Sequence, residues 1–356
     1  MYKISTVDPQ IIDAYVDDMA GKLKPAIDDY LNGKELEIDL NGSVVKVAVD
    51  NRSMTHRFLK PLSDIETLKK YLKMKVGGQY LLVRRLQNEK YPDDLIFKRL
   101  GVTTYKRYYK GNPPVIDHFN EIMHDIFVAN GYDTNIDKLQ FITNTRLKIC
   151  PYCGIDRVIE SKRTKNEIDH FLPKGKYPIF AVSYYNLIPS CNCCNRADHK
   201  GQLSPIDEKA NGLEVHNPYI FNTSIVRFHL DIANLNVYEP DSFHVIVGFT
   251  DKAYLNGYDR FFDISDRYAS CNEEASEDYT RLMDFKAEHF YEEMNVDKDW
   301  MNKAHRAVMG YSIDNNSPHL KERYLMRRNI FEQLNGLRKP APYYTDASGD
   351  NTVILE

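Results

Sequence analysis

The chain has 356 residues, of which 42% are hydrophobic and 28% charged, and its formal net charge is −4. This composition supports buried cores in two or three domains and excludes a wholly disordered chain. The nearly balanced charge argues against a protein that coats nucleic acid non-specifically, although a local basic groove is compatible with it.

The N-terminus lacks the apolar core of a signal peptide, and no apolar run approaches the roughly 18 residues of a membrane span. The sequence therefore predicts a soluble cytoplasmic protein with no membrane partner. Five of the six cysteines fall between positions 150 and 194. In a reducing compartment, such clustering indicates metal binding rather than disulfides.

Residues 1–140 predict a mostly helical N-terminal domain with one β-hairpin. Apolar residues recur at helical spacing after Pro9, which suits the first turn of a helix, and Gly33 is a stop signal. Alternating apolar residues on both sides of Asn41-Gly42 predict the hairpin, because this dipeptide favours a tight β-turn.

Three more helices are predicted in this domain. Ser63 and Glu66 have the spacing of a capping box, which predicts a helix start at Ser63. The Gly-Gly pair at 77–78 predicts a break in the chain. Apolar spacing then predicts helices over residues 92–100 and 113–130.

The C-terminal part of the chain predicts a mixed, loop-rich segment followed by helices. Alternation of apolar residues predicts a strand over 243–249. Two long helices are predicted over 277–309 and 317–337, and Pro340 ends the second of them.

The central stretch, residues 150–201, contains most of the reactive side chains. Two Cys-x-x-Cys pairs, Cys150/Cys153 and Cys191/Cys194, are separated by 37 residues. Four thiolates in two such pairs satisfy tetrahedral zinc, so the pattern predicts a closed structural Zn²⁺ site. The alternative is a set of buried free thiols. Cys193 is left out because its spacing from Cys191 does not fit a zinc knuckle.

Polar residues with a second kind of chemistry lie between and beside these cysteines. Asp169 and His170 follow a short predicted strand, Asn186 lies 16 residues after His170, and Asn195 directly follows Cys194. Neighbouring side chains on a strand point to opposite faces, so Asp169 and His170 reach one site only if the strand bends. The alternative is an exposed loop aspartate beside a capped histidine.

This ordered set resembles the HNH (His-Me finger) endonucleases, in the subgroup whose ββα-metal core is held by two zinc knuckles. The resemblance covers residues 150–201. It implies an α+β fold with a ββα-metal core and structural zinc, flanked by mainly helical N- and C-terminal regions. It also implies an enzyme, a metal-dependent endonuclease that hydrolyses phosphodiester bonds in DNA.

The resemblance implies a role for each polar residue. His170 is the general base that takes a proton from the attacking water, and Asn186 braces the loop between strand and helix and orients His170. Asp169 and Asn195, early on the helix, hold one Mg²⁺ or Mn²⁺, ions that prefer carboxylate and amide oxygens. His199, four residues after Asn195 and on the same helix face, is an alternative or additional ligand.

Basic residues near these positions predict contacts with DNA phosphates. Lys174, Arg196 and Lys200 are the strongest candidates because of their positions beside the expected metal site. The alternative for each of them is a solvated charged loop.

The layout also resembles nuclease effectors of antiphage defence, including the nuclease subunit that pairs with an ATPase in Septu-type systems. The sequence has no Gly-x-x-x-x-Gly-Lys-Ser/Thr motif, so ATP-driven control requires an ATPase or another defence-system protein as partner. The rival hypothesis is a non-catalytic zinc-stapled module that binds nucleic acid or protein. The predicted regions are 1–140 (helical with one hairpin), 141–215 (nuclease core), 216–340 (mixed, then helical) and 341–356 (flexible tail).

Overall fold

The structure is a computed structural model of the chain. It describes residues 1–4, 7–40, 42–88, 105–107, 115–158, 167–209, 211–231, 239, 242–289, 298–310, 323–336, 342–343 and 353–354. Runs of helices are separated by pairs of strands along these ranges, and each sheet within them has two antiparallel strands.

The N-terminal elements are a long helix and a hairpin: α1 Pro9–Leu31, β1 Glu35–Leu40 and β2 Ser43–Ala48. Pro9 fits the first turn because its ring fixes φ, and the Asp8 carboxylate accepts a hydrogen bond from the Gln10 amide. Gly42 has φ +85°, the left-handed conformation that favours glycine. The predicted helix and hairpin are both confirmed.

Three helices follow: α2 Met54–Leu62, α3 Ile65–Leu72 and α4 Val76–Asn88. The predicted helix start at Ser63 is wrong, because Ser63 ends α2 and the Asp64 side chain caps α3 by accepting from the Thr67 amide. The predicted break at residues 77–78 is also wrong, since α4 runs through both glycines. A Cβ at Gly78 would lie 2.7 Å from a Met74 side-chain carbon, so this close contact favours glycine inside the helix.

The next elements are β3 Tyr105–Arg107, β4 Val115–Asp117, α5 Phe119–Met123, a π-helix His124–Asp133 and α6 Lys138–Thr145. The helix predicted over 113–130 therefore begins later and changes its hydrogen-bond pattern. Asn130, Thr134 and Asn135 donate side-chain hydrogen bonds to carbonyls five residues earlier, which satisfies backbone groups in the wide helix. The helix predicted over 92–100 lies outside the described residues.

The central region contains β5 Ile168–His170, β6 Leu187–Pro189, α7 Asn192–Asn195 and α8 Pro205–Lys209. The two strands form a hairpin in which His170 pairs with Leu187. Two 3₁₀ turns, Pro178–Phe180 and Tyr184–Asn186, shape the loop between the strands.

The C-terminal elements are β7 Val226–Asp231, β8 His244–Phe249, α9 Lys252–Phe262, α10 Ile264–Ala269, α11 Asn272–Glu288, α12 Lys298–Met309, α13 Tyr324–Leu334, β9 Pro342–Tyr343 and β10 Val353–Ile354. The strand predicted over 243–249 is confirmed. The helix predicted from residue 277 begins at Asn272 instead, and α9 and α10 were not predicted. The described residues of the predicted flexible tail pair with each other as β9 and β10.

One hydrophobic core joins the N-terminal helices, the central hairpin and the β7–β8 sheet. Leu23 on α1, Phe171 after β5 and Phe228 on β7 are fully buried members of it. Burial of each such side chain contributes about 1.5–3 kcal/mol. The central hairpin thus belongs to a core shared with both flanking regions, while the domain boundaries given above stay predictions. No helix in the described ranges is long and apolar enough to cross a membrane.

Candidate metal centre and active site

Four buried cysteines meet at one point beside the central hairpin. The sulfur atoms of Cys150, Cys153, Cys191 and Cys194 all lie within 4.8 Å of one another. This donor set can hold a structural metal ion such as zinc, which takes four thiolates in closed tetrahedral sites. Cys193 lies outside the cluster, as its spacing predicted.

Tight turns bring each cysteine pair together. In the first turn, the Gly154 amide donates to the Cys150 carbonyl at 2.8 Å, and Gly154 has φ +71°. In the second turn, Cys191 precedes α7, and its sulfur accepts from the Cys194 amide at 3.4 Å. The Ile155 amide donates to the Cys153 sulfur at the same distance. Backbone donors therefore point at the sulfur atoms in both turns.

A cationic side chain from a distant part of the chain contacts the cluster. Arg267 on α10 donates to the Cys194 sulfur at 3.3 Å and to the Asp156 carboxylate at 2.8 Å. Burial alone would raise the pKa of Cys153, but hydrogen bonds from the other three thiols hold this pKa well below its usual value. Arg267 was not predicted as a contact of the cluster, because it lies 73 residues from Cys194 in the chain.

Asp169 lies on β5, is 3% exposed, and both of its carboxylate oxygens are engaged. The Tyr152 hydroxyl donates to Oδ2 at 2.5 Å, and the Lys200 ammonium donates to Oδ1 at 3.0 Å. Burial and the neighbouring carboxylate raise the pKa of Tyr152, so its hydroxyl stays protonated and donates. Tyr152 lies between Cys150 and Cys153 and thus connects the cysteine cluster to Asp169.

Lys200 is fully buried, so its predicted role as a contact to DNA phosphates is wrong. Its ammonium also donates to the His170 carbonyl at 2.7 Å. Burial lowers the pKa of Lys200, and the ion pair with Asp169 opposes that shift. The physical reason for the correction is this ion pair, which draws the ammonium inward.

His170 is held in one orientation and one tautomer. Its Nε2 lies 2.9 Å from the Ala181 carbonyl, which can only accept, so Nε2 carries the proton and Nδ1 has the free lone pair. The Tyr132 ring meets the imidazole edge-on at 4.3 Å between ring centres. Burial lowers the pKa of His170 to about 3, and the Lys174 ammonium shifts it in the same direction. The imidazole is therefore neutral at pH 7.

Asn186 is fully buried and joins the two ends of the loop that follows His170. Its Oδ1 accepts from the Leu172 amide at 2.7 Å, and its Nδ2 donates to the carbonyls of Leu172 and Phe180 at 3.1 and 3.0 Å. Phe180 precedes Ala181, the hydrogen-bond partner of His170. Asn186 thus braces the loop that joins β5 to β6, whereas the predicted loop joined a strand to a helix.

Asn195 and His199 do not share a helix face, so this prediction is wrong. Asn195 is the last residue of α7, and the next residue, Arg196, is extended with ψ 159°. The Asn195 Nδ2 donates to the Glu167 carboxylate at 2.7 Å, while the His199 ring lies 3.4 Å from Asp198.

Glu167 was not predicted as a site residue, although its position relative to Asp169 indicated that it could be one. It precedes Asp169 by two residues on the extended chain, so the two carboxylates point to the same side. Within the described ranges, the four cysteines are the single group of three or more His, Cys, Asp and Glu side chains close enough to share an ion.

Basic side chains surround the Tyr132–His170 pair. The Lys174 and Lys138 ammonium groups lie 4.7 and 5.0 Å from the centre of the Tyr132 ring. Lys174 is 31% exposed and pairs with Asp133 at 2.8 Å. Arg196 is 59% exposed and pairs with Asp198. Lys174 and Arg196 are thus accessible to a ligand, as their predicted role requires, and Lys138 was missed.

No protein-family model and no solved structure matches the chain. It is 45% identical over 71 residues to Protein ea31 of Escherichia phage lambda, which is 20% of this chain and 21% of that protein. It is 37% identical over 75 residues to Septu protein PtuB of Bacillus thuringiensis, 19% of this chain and 28% of that protein. The chain is thus a partial homologue of PtuB, and each match spans less than a third of the relative.

Proposed function

We propose that the protein is an HNH endonuclease that hydrolyses phosphodiester bonds in DNA, with β5, β6 and α7 as its ββα-metal core. The observation that carries this proposal is the state of His170, a neutral imidazole fixed by Ala181 with its Nδ1 lone pair available. The cysteine cluster beside the hairpin supports it, because a closed zinc site would hold these short elements in place.

In this proposal, Nδ1 of His170 accepts a proton from a water molecule as the water oxygen bonds to phosphorus. One ester P–O bond breaks at the same centre, and the leaving sugar oxygen takes a proton from solvent. A general base works best when its pKa is near the working pH. The pKa of about 3 applies without DNA. A negatively charged phosphate bound beside the ring favours the protonated imidazole and thus raises this pKa toward neutrality.

Asp169 and Asn195 would hold Mg²⁺ or Mn²⁺, with the Asn195 Oδ1 as the amide donor. Their oxygen atoms suit such hard ions, and the Glu167 carboxylate adds negative charge beside Asn195. When bound, the ion supplies positive charge that stabilises the phosphate during hydrolysis. These oxygen atoms therefore fit Mg²⁺ or Mn²⁺ as ligands. In the structure, the Lys200 ammonium contacts one of the two Asp169 oxygens.

Lys174, Arg196 and Lys138 are the proposed contacts to DNA phosphates. Arg196 is exposed and Lys174 is partly exposed, and the ammonium groups of both lysines lie close to the Tyr132 ring beside His170. Their charges would hold the backbone of the DNA near the base.

The setting we propose is antiviral defence, with an ATPase or another defence-system protein as partner. The support for this setting is the partial homology to Septu protein PtuB. Because the match spans 28% of PtuB, it supports the setting more than any particular partner.

Cleavage of plasmid DNA tests the proposal. Wild type, His170→Ala and His244→Ala are compared with Mg²⁺ and with Mn²⁺; His244 is an exposed residue on β8 and serves as the matched control. We expect His170→Ala to lose about 10²–10⁴-fold in rate, and His244→Ala to keep the wild-type rate. Equal cleavage by all three proteins contradicts the role of His170.

One observation favours the rival function, a non-catalytic module that binds nucleic acid or protein. Both oxygens of Asp169 are engaged within the protein, so this carboxylate also has a purely structural use. The rival function predicts that DNA is retained in a gel-shift assay and stays intact with either divalent ion.

A further inference from the structure

We infer that Lys200 is a positioning residue that serves as the resident cation of Asp169, and that a divalent ion binds Asp169 by exchange with its ammonium. The ammonium moves to solvent when the ion binds. This inference rests on the proposed function, because that proposal makes Asp169 a ligand of Mg²⁺ or Mn²⁺.

The contacts of Lys200 define its place. The side chain is fully buried, and its ammonium bridges the Asp169 carboxylate at 3.0 Å and the His170 carbonyl at 2.7 Å. It therefore ties together the side chain of one functional residue and the backbone of the next. No exposed surface lysine could make this pair of contacts.

The turn around Lys200 is shaped to direct it inward. Gly201 has φ +39°, and a Cβ at this position would lie 2.9 Å from the Ala197 Cα. The Leu203 amide donates to the Lys200 carbonyl at 2.7 Å, which closes the next turn. Glycine at 201 thus permits a close backbone approach that a larger residue would disturb.

Charge balance explains why the carboxylate needs this partner. Asp169 is 3% exposed, and a buried carboxylate without a counter-charge is strongly destabilising. Lys200 provides the counter-charge in the protein without a divalent ion. A divalent ion and an ammonium at the same carboxylate repel each other, and this repulsion favours release of the ammonium when the ion binds. The Tyr152 hydrogen bond to the other oxygen is compatible with both states.

The first experiment measures Mn²⁺ binding by calorimetry without DNA, so it does not depend on catalysis. We compare wild type, Lys200→Met, Asp169→Asn and the matched control Lys22→Met, which loses a charge on α1 that pairs with Asp18 and not with Asp169. We expect Asp169→Asn to lose the site, Lys200→Met to bind Mn²⁺ about tenfold more tightly, and Lys22→Met to change affinity less than about twofold.

Binding by Lys200→Met that equals or falls below wild type overturns the inference. Failure to detect a site that depends on Asp169 in both proteins overturns it as well. A protein that shows the expected exchange but cuts no DNA keeps this inference and contradicts the proposed function, so the two failures are distinguishable.

A second experiment uses the wild-type protein and does not require Lys200→Met to fold. Brief reductive methylation followed by mass spectrometry reports which lysine ammonium groups reach solvent. We expect Lys200 to be protected without Mn²⁺ and to be labelled at saturating Mn²⁺, with Lys174 labelled in both cases as the internal control. Persistent protection of Lys200 in the Mn²⁺-saturated protein contradicts the exchange.

Discussion

Two polar centres lie side by side in the central region and balance their charge in different ways. The cysteine cluster gathers four sulfur atoms within 4.8 Å, and its cationic contact, Arg267, donates to one of them. The Asp169 centre has a lysine ammonium directly on its carboxylate. The first arrangement suits an ion that stays bound, whereas the second is neutral without one. Tyr152 lies between Cys150 and Cys153 in the chain and donates to Asp169, so loss of one centre should affect the other.

The largest expected effect breaks the cysteine cluster. Cys191→Ala should abolish a cooperative thermal transition and lower bound zinc, because the binding energy of a structural zinc ion is folding energy. Circular dichroism and elemental analysis measure both quantities. Cys193→Ala is the matched control outside the cluster and should keep the zinc and the transition. A wild-type thermal transition in Cys191→Ala would show that the fold does not depend on the cysteine cluster.

The next effect concerns the loop that orients His170. Asn186→Ala leaves the Leu172 amide and two carbonyls without their buried partner and should cost about 2–4 kcal/mol in the free energy of unfolding. Denaturant titration measures the loss. Asn192→Ala, an exposed change on α7, serves as control and should lie within about 0.5 kcal/mol of wild type. If Asn186→Ala also lies within about 0.5 kcal/mol of wild type, Asn186 does not stabilise this loop.

A pH series tests the burial of neutral His170. The pKa of about 3 in the folded protein lies below the unfolded value of 6.5, so the unfolded chain binds more protons between these values. Stability should therefore fall as the pH decreases through this window. His170→Gln should lose about 2 kcal/mol less than wild type between pH 7 and pH 5. If the free energy of unfolding depends on pH in the same way in both proteins, the pKa of His170 is not lowered on folding.

The smallest effect concerns DNA affinity. Lys174→Met should reduce the slope of log affinity against log salt concentration by about 1, because one phosphate contact is lost. Fluorescence anisotropy with a short duplex measures the slope, and Lys22→Met on α1 is a control for the loss of an exposed charge. An unchanged slope would exclude Lys174 from the phosphate contacts.

Features that depend on neighbouring residues were predicted from the sequence, whereas features that depend on residues far apart in the chain were not. The cysteine spacing and the hairpin at Gly42 depend on a few neighbouring residues, and both agree with the structure. The burial of Lys200 depends on the turn at Gly201 and on an ion pair formed across 31 residues. The Arg267 contact depends on α10, a helix of six residues that is too short for a clear helical periodicity.

The periodicity of apolar residues also failed to predict the π-helix at His124–Asp133. Apolar spacing predicted one regular helix over 113–130, but the hydrogen bonds of Asn130, Thr134 and Asn135 favour the wider π-helix there. Such side-chain donors change the number of residues in a turn without changing which residues are apolar. The prediction therefore identified the apolar residues of this segment that are buried, but it gave the wrong type of helix for residues 124–130.

The π-helix sets which residue faces His170. An α-helix turns by about 100° per residue and the wider π-helix by somewhat less, so removal of one residue from His124–Asp133 with an unchanged hydrogen-bond pattern would rotate Tyr132 by nearly that angle. The Tyr132 ring would then leave the imidazole edge and the space between the ammonium groups of Lys138 and Lys174. Chain length in this segment is therefore as restrictive as residue identity, and insertions or deletions there should be tolerated far less than substitutions at its exposed positions.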